Sequence, residues 1–267
     1  MKNRPIGVFD SGIGGLTVAH ALREALPNES LMYLGDTAHL PYGDKSDDAI
    51  RSFSLRITKF LLEKGAKAIV IACNSASSHA FDAVRELVPD EIPVFNVIDP
   101  VVESLRGLEK GIVGVIGTSA TIRSHMYRSK ITLANPALIV SELPTPLLAH
   151  MIEEGFFTRS VSQAVISEYL NDPALDGIDH LILACTHYPL IQDQIQSHFQ
   201  KEVKILNSAE LVALEVKEVL EKKNLLTNSG ESNYQFFVTD FTESFDKSAD
   251  HFFQGRVELE EVKLWKE

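Results

Sequence analysis

Cysteine is almost missing from this chain: there are two in 267 residues. Both lie far apart, and Met1–Pro5 leads straight into a strand-like run rather than a secretory signal. That usage points to a reducing cytoplasm and argues against a disulfide framework. The cysteines show no Cys-x-x-Cys or His-x-x-x-His partner spacing, so no metal site is expected. No stretch of about 18 apolar residues occurs, which argues against a membrane span. Positive charge is also short: 25 basic against 37 acidic groups leave a net charge of −12, a balance that repels polyanions and disfavours nucleic acid as a partner. The Gly-x-Gly-x-x-Gly dinucleotide fingerprint, the Gly-Lys-Ser/Thr of a P-loop and a serine nucleophile elbow are all absent. No lysine stands in a strand-end, glycine-rich setting of the kind that holds a Schiff base.

The hydrophobic content of 45% is ample for a packed core. Short apolar runs alternate with segments of helical period. The runs predict strands over Ile6–Phe9, Leu31–Leu34, Ala68–Ala72, Val94–Val97, Ile112–Ile116, Leu138–Ser141, His180–Ala184, Val203–Leu206 and Gln235–Thr239. Between them, Ile50, Phe53, Leu55, Phe60, Leu61 and Leu62 suggest one apolar helix face, and Leu211, Leu214, Val219 and Leu220 another. Repeated strand–helix order predicts an α/β protein with mainly parallel sheets flanked by helices and all strand C-termini along one edge. Asn228-Ser229-Gly230 is the clearest turn signal.

The two cysteines occupy near-copies of one local pattern. Ala68-Ile69-Val70-Ile71-Ala72-Cys73-Asn74-Ser75 and Leu181-Ile182-Leu183-Ala184-Cys185-Thr186-His187 each run an apolar strand into Ala-Cys and then a small polar residue. Open α/β sheets hold their ligands at such strand ends. Gly7-Val8-Phe9-Asp10-Ser11 likewise resembles Gly114-Val115-Ile116-Gly117-Thr118. The offsets, 107 for this pair and 112 for the cysteines, describe two related halves with a small insertion. Duplicated halves facing one cleft would set the two thiols on opposite sides of one small molecule.

Other candidates gather at the same strand ends. Asp10-Ser11-Gly12-Ile13-Gly14-Gly15 opens a helix near Leu16; its backbone N–H groups suit a ligand anion, or the turn is simply capped by Asp10. Pro41-Tyr42-Gly43 lies in a polar loop, where Gly43 permits close backbone approach and Tyr42 either faces a ligand or covers the loop. Asn74 and Ser75 begin the helix beside Cys73, whose N-terminal dipole is expected to lower the thiol pKa. His187 places a base two residues from Cys185; the other eight histidines have no such setting. Thr118 and Thr121 sit at a strand–helix junction as hydroxyl donors or as a cap. Glu153 and Glu154, adjacent acids near a helix end, read locally as solvated.

Taken together, Gly7–Gly12, Pro41-Tyr42-Gly43, Ala72-Cys73-Asn74, Gly117-Thr118 with Thr121, Ile152-Glu153-Glu154 and Cys185-Thr186-His187-Tyr188-Pro189-Leu190 resemble the cofactor-independent aspartate/glutamate racemase family, and within it the glutamate racemases. The resemblance runs over nearly the whole length. It departs at Ser75, where the family commonly has threonine, which keeps a hydroxyl and loses a methyl.

The resemblance implies two pseudo-symmetric α/β domains, residues 1–97 with 208–267 and residues 98–207, and an active site in the cleft between them. It implies Cys73 and Cys185 as the acid/base pair. Asp10 and His187 would assist them, with Glu153 near His187. Glutamate would be bound by Asp10, Ser11, Tyr42, Gly43, Asn74, Ser75, Thr118, Thr121, Thr186 and His187. It further implies no cofactor, a cytoplasmic homodimer, and D-glutamate made for bacterial peptidoglycan. Two other readings remain open: an aspartate racemase or other isomerase or lyase of the same superfamily, and a non-catalytic amino-acid-binding protein. The second has no use for either thiol.

Overall fold

The computed structural model describes residues 1–158, 160–199, 202–228 and 230–265. The chain first alternates through β1 (Ile6–Asp10), α1 (Leu16–Ala25), β2 (Leu31–Gly35), α2 (Asp47–Glu63), β3 (Ala68–Ile71), α3 (Asn74–Leu87), β4 (Val94–Asn96) and α4 (Asp99–Ser104). It continues through β5 (Gly111–Gly117), α5 (Ser119–Arg123), α6 (Met126–Ala134), β6 (Leu138–Pro144), α7 (Pro146–Glu153), α8 (Ser160–Leu170), β7 (His180–Ala184), α9 (Gln192–His198) and β8 (Lys204–Asn207). It closes with α10 (Ser208–Lys222), β9 (Tyr234–Val238), α11 (Glu243–Phe253) and β10 (Leu259–Glu261). The nine strands anticipated from the apolar runs form within a few residues of their expected bounds. β10 was not anticipated, because Leu259-Glu260-Glu261 carries one apolar residue and is held as a strand only by its parallel register with Phe236–Val238. The turn signal at Asn228-Ser229-Gly230 includes a residue outside those described.

Two all-parallel sheets result, ordered β10-β9-β2-β1-β3-β4 and β6-β5-β7-β8. The segment β2-β1-β3-β4 of the first has the same order of strand appearance as the whole second sheet, so the weak sequence repeat corresponds to a repeated topology. β1 and β3 flank the point where the first sheet's winding reverses, as do β5 and β7 in the second. Ligands collect outside strand ends at such switch points. Cys73 follows β3 and Cys185 follows β7, so the thiols occupy equivalent places in the two sheets.

Strands buried on both faces explain the unbroken apolar runs. Side chains alternate between cores with period two. Leu181 and Leu183 enter a large cluster shared with Ile6, Val8, α1 and α10, whereas Ile182 and Ala184 face a second one beneath α4 and α6. The third cluster joins Phe9, Met32 and Ile71 to α2 and α3.

Both expected helix faces need correction. On α2 the buried stripe is Ile50, Ser54, Ile57, Thr58 and Leu61, while Phe53, Leu55, Phe60 and Leu62 are only partly covered. Ser54 and Thr58 are tolerated there because their hydroxyls donate to the carbonyls of Ile50 (2.8 Å) and Ser54 (2.7 Å). On α10 the buried residues include Ala209, Val212, Ala213, Val216 and Leu220, and Leu214 is exposed. Small residues on that face let α10 lie close along α1.

At the end of the first sheet remote from the cysteines, Lys67 is fully buried and paired with Glu29. Its Nζ also donates to the carbonyls of Lys2 and Leu225, and Glu29 Oε1 accepts from Thr227 N at 2.7 Å. Removing one member of a buried pair strands the other's charge. Lys67→Met is therefore expected to lower the unfolding free energy by about 3–5 kcal/mol, read from urea denaturation; a loss below about 1 kcal/mol would mean that the pair is dispensable.

Candidate active site

The first βα turn is built around Asp10, at the end of β1. Its Oδ2 accepts from Gly12 N (3.2 Å) and Gly15 N (2.9 Å), so the N–H groups that sequence offered to a ligand anion are partly taken by the chain's own carboxyl. Asp10 is fully buried, and burial raises its pKa against the opposing pull of His187 and the turn's N–H groups. Beside it, Cys73 is the N-cap of α3, with Sγ accepting from Ala76 N at 3.4 Å. The expected lowering of this thiol's pKa does not hold. Burial, then the neighbouring Asp10 carboxyl, push it up to about 12, outweighing the Ala76 N–H and the Ser11 hydroxyl. A helix dipole acts weakly against complete desolvation.

The second sheet supplies the opposite wall. Cys185 Sγ lies 3.5 Å from His187 Nδ1, and His187 Nε2 lies 2.9 Å from Glu153 Oε1. The Nε2 has no well-aligned hydrogen-bond partner, so the Glu153 contact is chiefly ionic. Burial alone would lower the His187 pKa; the Cys185 sulfur and the Glu153 carboxylate reverse that and hold it well above its ordinary value. Burial tends to raise Glu153, but His187 and then His150 bring it below the usual carboxylate range. The local reading of Glu153 and Glu154 as a solvated pair is thus half right: Glu154 is exposed, and Glu153 turns inward at the C-terminus of α7 with its side chain 13% exposed.

Hydrogen bonds cross between the two walls. Thr17 Oγ1 donates to the Thr186 carbonyl (3.0 Å), and Thr186 Oγ1 approaches Asp10 Oδ1 at 3.5 Å. Ser75 Oγ meets Thr118 Oγ1 (2.9 Å) and Thr121 Oγ1 (3.2 Å), while Thr118 also caps α5 by accepting from Thr121 N. Serine in place of the family's threonine thus keeps a hydroxyl used across the cleft. Tyr127, from α6, donates to Asn74 Oδ1 at 2.7 Å, which leaves the buried Asn74 Nδ2 without a partner.

These walls enclose a cavity of about 20 Å³. Of the residues singled out from the sequence, Ser11, Tyr42, Gly43, Cys73, Asn74, Ser75, Thr118, Glu153, Cys185, Thr186 and His187 line it, together with Pro41, Ala149 and Ala184. Asp10 and Thr121 lie behind that lining. Such a space holds about one water molecule, so an amino acid enters only if the walls part. Among the described residues, no group of three or more His, Cys, Asp or Glu side chains converges as metal ligands, and no helix is long and apolar enough to cross a membrane.

Residues 14–216 match the Asp/Glu/Hydantoin racemase family. The chain is 41% identical over 262 residues to the glutamate racemase of Persephonella marina, covering 98% of each. The chain belongs to the Asp/Glu/Hydantoin racemase family. Family membership makes it an isomerase. The crystal structure of glutamate racemase from Francisella tularensis in complex with D-glutamate superimposes with a TM-score of 0.93 at 40% identity, with 99% of each chain covered. The enzyme from Thermus thermophilus in complex with beta-chloro-D-alanine gives a TM-score of 0.87 at 40% identity, over 98% of this chain and 97% of that one.

Several residues that shape this cavity carry no mark in the sequence strong enough to single them out. Thr17 and Tyr127 act through partners 169 and 53 residues away, and nothing local marks them. Gly14 does have a local mark, as part of the glycine turn, but its reason is tertiary. A Cβ there would stand 2.4 Å from His187 Cε1, 2.6 Å from its Nδ1 and 2.7 Å from Thr186 Oγ1. Gly14→Ala is expected to force the walls apart and cut kcat/KM by about 10²-fold or more, the penalty of an ångström-scale misplacement, with the secondary structure retained by circular dichroism. Wild-type kinetics would show that the approach is not needed.

The raised Cys73 pKa and the closed cavity predict slow alkylation. At pH 8 in the absence of ligand, iodoacetamide should modify Cys73 at least about tenfold more slowly than a free thiol, whose pKa is about 8.5. The thiolate fraction, and with it the rate, should climb as the pH rises toward about 12. Peptide mapping by mass spectrometry provides the measurement, and free-thiol reactivity at pH 8 would contradict it.

Proposed function

We propose that this protein interconverts L- and D-glutamate without a cofactor, by a two-base mechanism with Cys73 and Cys185 on opposite faces of the substrate α-carbon. The observation that carries the reading is that two thiols from equivalent ends of two similar sheets line one cavity. The glutamate assignment draws on the relatives described above, one of them crystallised with D-glutamate.

Inversion requires a proton removed from one face and another delivered to the other. In the free protein Cys73 holds its proton, and Cys185 sits against His187, which accepts or returns a proton through Nδ1. Cys185 as thiolate takes the α-proton while Cys73 as thiol supplies one from the opposite face. The sulfurs finish with their roles exchanged, ready for the reverse direction. Asp10 assists at Cys73 and His187 at Cys185, and Glu153 keeps the imidazole cationic and oriented. Charge developing on the substrate is met by fixed donors, of which the unpartnered Asn74 Nδ2 is the best prepared. Ser11, Tyr42, Gly43, Ser75, Thr118, Thr121 and Thr186 complete the binding surface, directly or from behind the lining. Residues 1–97 with 208–267 form one jaw and 98–207 the other; closure excludes water and strengthens each of these contacts. The protein works as a cytoplasmic homodimer, and its D-glutamate enters peptidoglycan.

Proton exchange in D2O tests the reading. The wild type should wash deuterium into the α-position of both glutamate enantiomers, followed by NMR. Cys73→Ala and Cys185→Ala should each lose racemisation by at least about 10²–10⁴-fold, the usual contribution of a positioned acid or base. Substantial inversion by either alanine variant would refute the two-base scheme. Exchange with aspartate but not glutamate would reassign the substrate, and exchange with neither would leave a binding protein.

A further inference from the structure

Directly behind the Tyr42–Gly43 wall lies a fully buried carboxyl that the mechanism does not use. Asp36 follows β2, and its oxygens accept from three chain segments. Oδ2 takes the Tyr42 hydroxyl at 2.7 Å; Oδ1 takes Thr239 Oγ1 and Trp265 Nε1, each also at 2.7 Å. His39 Nδ1 lies 3.0 Å and 3.1 Å from the two oxygens. Thr239 follows β9, and Trp265 lies beyond β10, 229 residues from Asp36. The Trp265 ring is also wedged edge-on against His39, with ring centres 4.5 Å apart.

This arrangement has a consequence for the site. The Tyr42 hydroxyl is spent on Asp36, a carboxyl outside the cavity lining, so Tyr42 acts on a ligand through its position. That position is exacting, since the adjacent Gly43 packs so closely that a Cβ on it would stand 2.9 Å from Thr118 Cβ on the opposite wall. Whatever holds Asp36 therefore sets where this wall meets the other. A buried carboxyl is tolerated only when its oxygens are satisfied, and here part of that satisfaction comes from the C-terminal segment.

We propose that Asp36 is a positioning residue for the Tyr42–Gly43 wall, and that the Trp265 indole latches it there, so that docking of the C-terminal segment governs substrate affinity without touching substrate. The proposal rests on the reading of the cavity as the amino-acid site. It accounts for a short C-terminal strand of mostly polar sequence being added to the sheet edge: β10 delivers Trp265 to Asp36.

Trp265 is the sole tryptophan of the chain, so its fluorescence reports on the latch alone. Titrating the wild type with glutamate should shift or quench that emission, saturating at a concentration near KM. Trp265→Phe keeps an aromatic ring against His39 and removes the N–H. It should raise KM about five- to tenfold, the scale of one lost hydrogen bond, with kcat within about twofold of wild type and the thermal midpoint nearly unchanged. A purely structural tryptophan would instead lower the midpoint and leave the KM of the folded fraction alone. An unresponsive emission together with wild-type KM in the variant would overturn the latch. If the variant fails to fold, the wild-type titration decides by itself, with a silent tryptophan counting against the proposal. A wild type that racemises neither glutamate nor aspartate would sink the functional reading, whereas an active wild type with an indifferent Trp265→Phe would sink only the latch.

Discussion

Burial of two thiols between the ends of two sheets is the constraint from which the rest of this structure follows. Burial makes the Cys73 thiol hold its proton tightly, and a charge placed in the cleft acts strongly because little solvent screens it. Every polar group in the cleft therefore needs a partner on its own wall or the opposite one. The cross-wall bonds of Thr17 to Thr186, Ser75 to Thr118 and Thr121, and Tyr127 to Asn74 supply those partners. They also make the closed arrangement a specific one, because each is lost when the walls separate.

Within that arrangement the halves are alike in topology and unlike in electrostatics. Cys73 has a carboxyl beside it, and Cys185 has an imidazole backed by a second carboxyl. The asymmetry matters for a reaction in which one sulfur must be protonated while the other is not. The Asp10 carboxyl and burial keep hydrogen on one sulfur; His187 and Glu153 give the other a place to send its proton. At the cavity two buried nitrogens finish folding without a hydrogen-bond acceptor, the Asn74 amide nitrogen and His187 Nε2, and of these only the imidazole has a carboxylate beside it. Groups left in that condition cost free energy unless a ligand satisfies them.

Much of this was legible early. Strand positions followed from unbroken apolar runs, since a parallel strand covered on both faces needs no alternation. The doubled Ala-Cys pattern located equivalent strand ends, with Asn74, Ser75 and His187 within two residues of the cysteines, and the glycine turn marked the end of β1. Helix faces were less legible. Ser54 and Thr58 hide in the α2 core by bonding to its own backbone, and α10 buries alanines against α1 while exposing Leu214. Hydrophobicity counts reward large apolar residues, whereas close packing of two helices selects small ones.

Local pattern by itself determined the order of elements, the duplicated design and the residues at the strand ends, because each depends on neighbours within a few positions. Only the tertiary structure decided what those residues experience. It turned Glu153 inward to His187, closed the glycine turn on Asp10, raised the Cys73 pKa where a helix dipole alone would lower it, and brought Trp265 to Asp36. Desolvation and hydrogen bonding at a buried atom are set by whatever lies within a few ångströms of it, and for these groups that surrounding comes from remote parts of the chain.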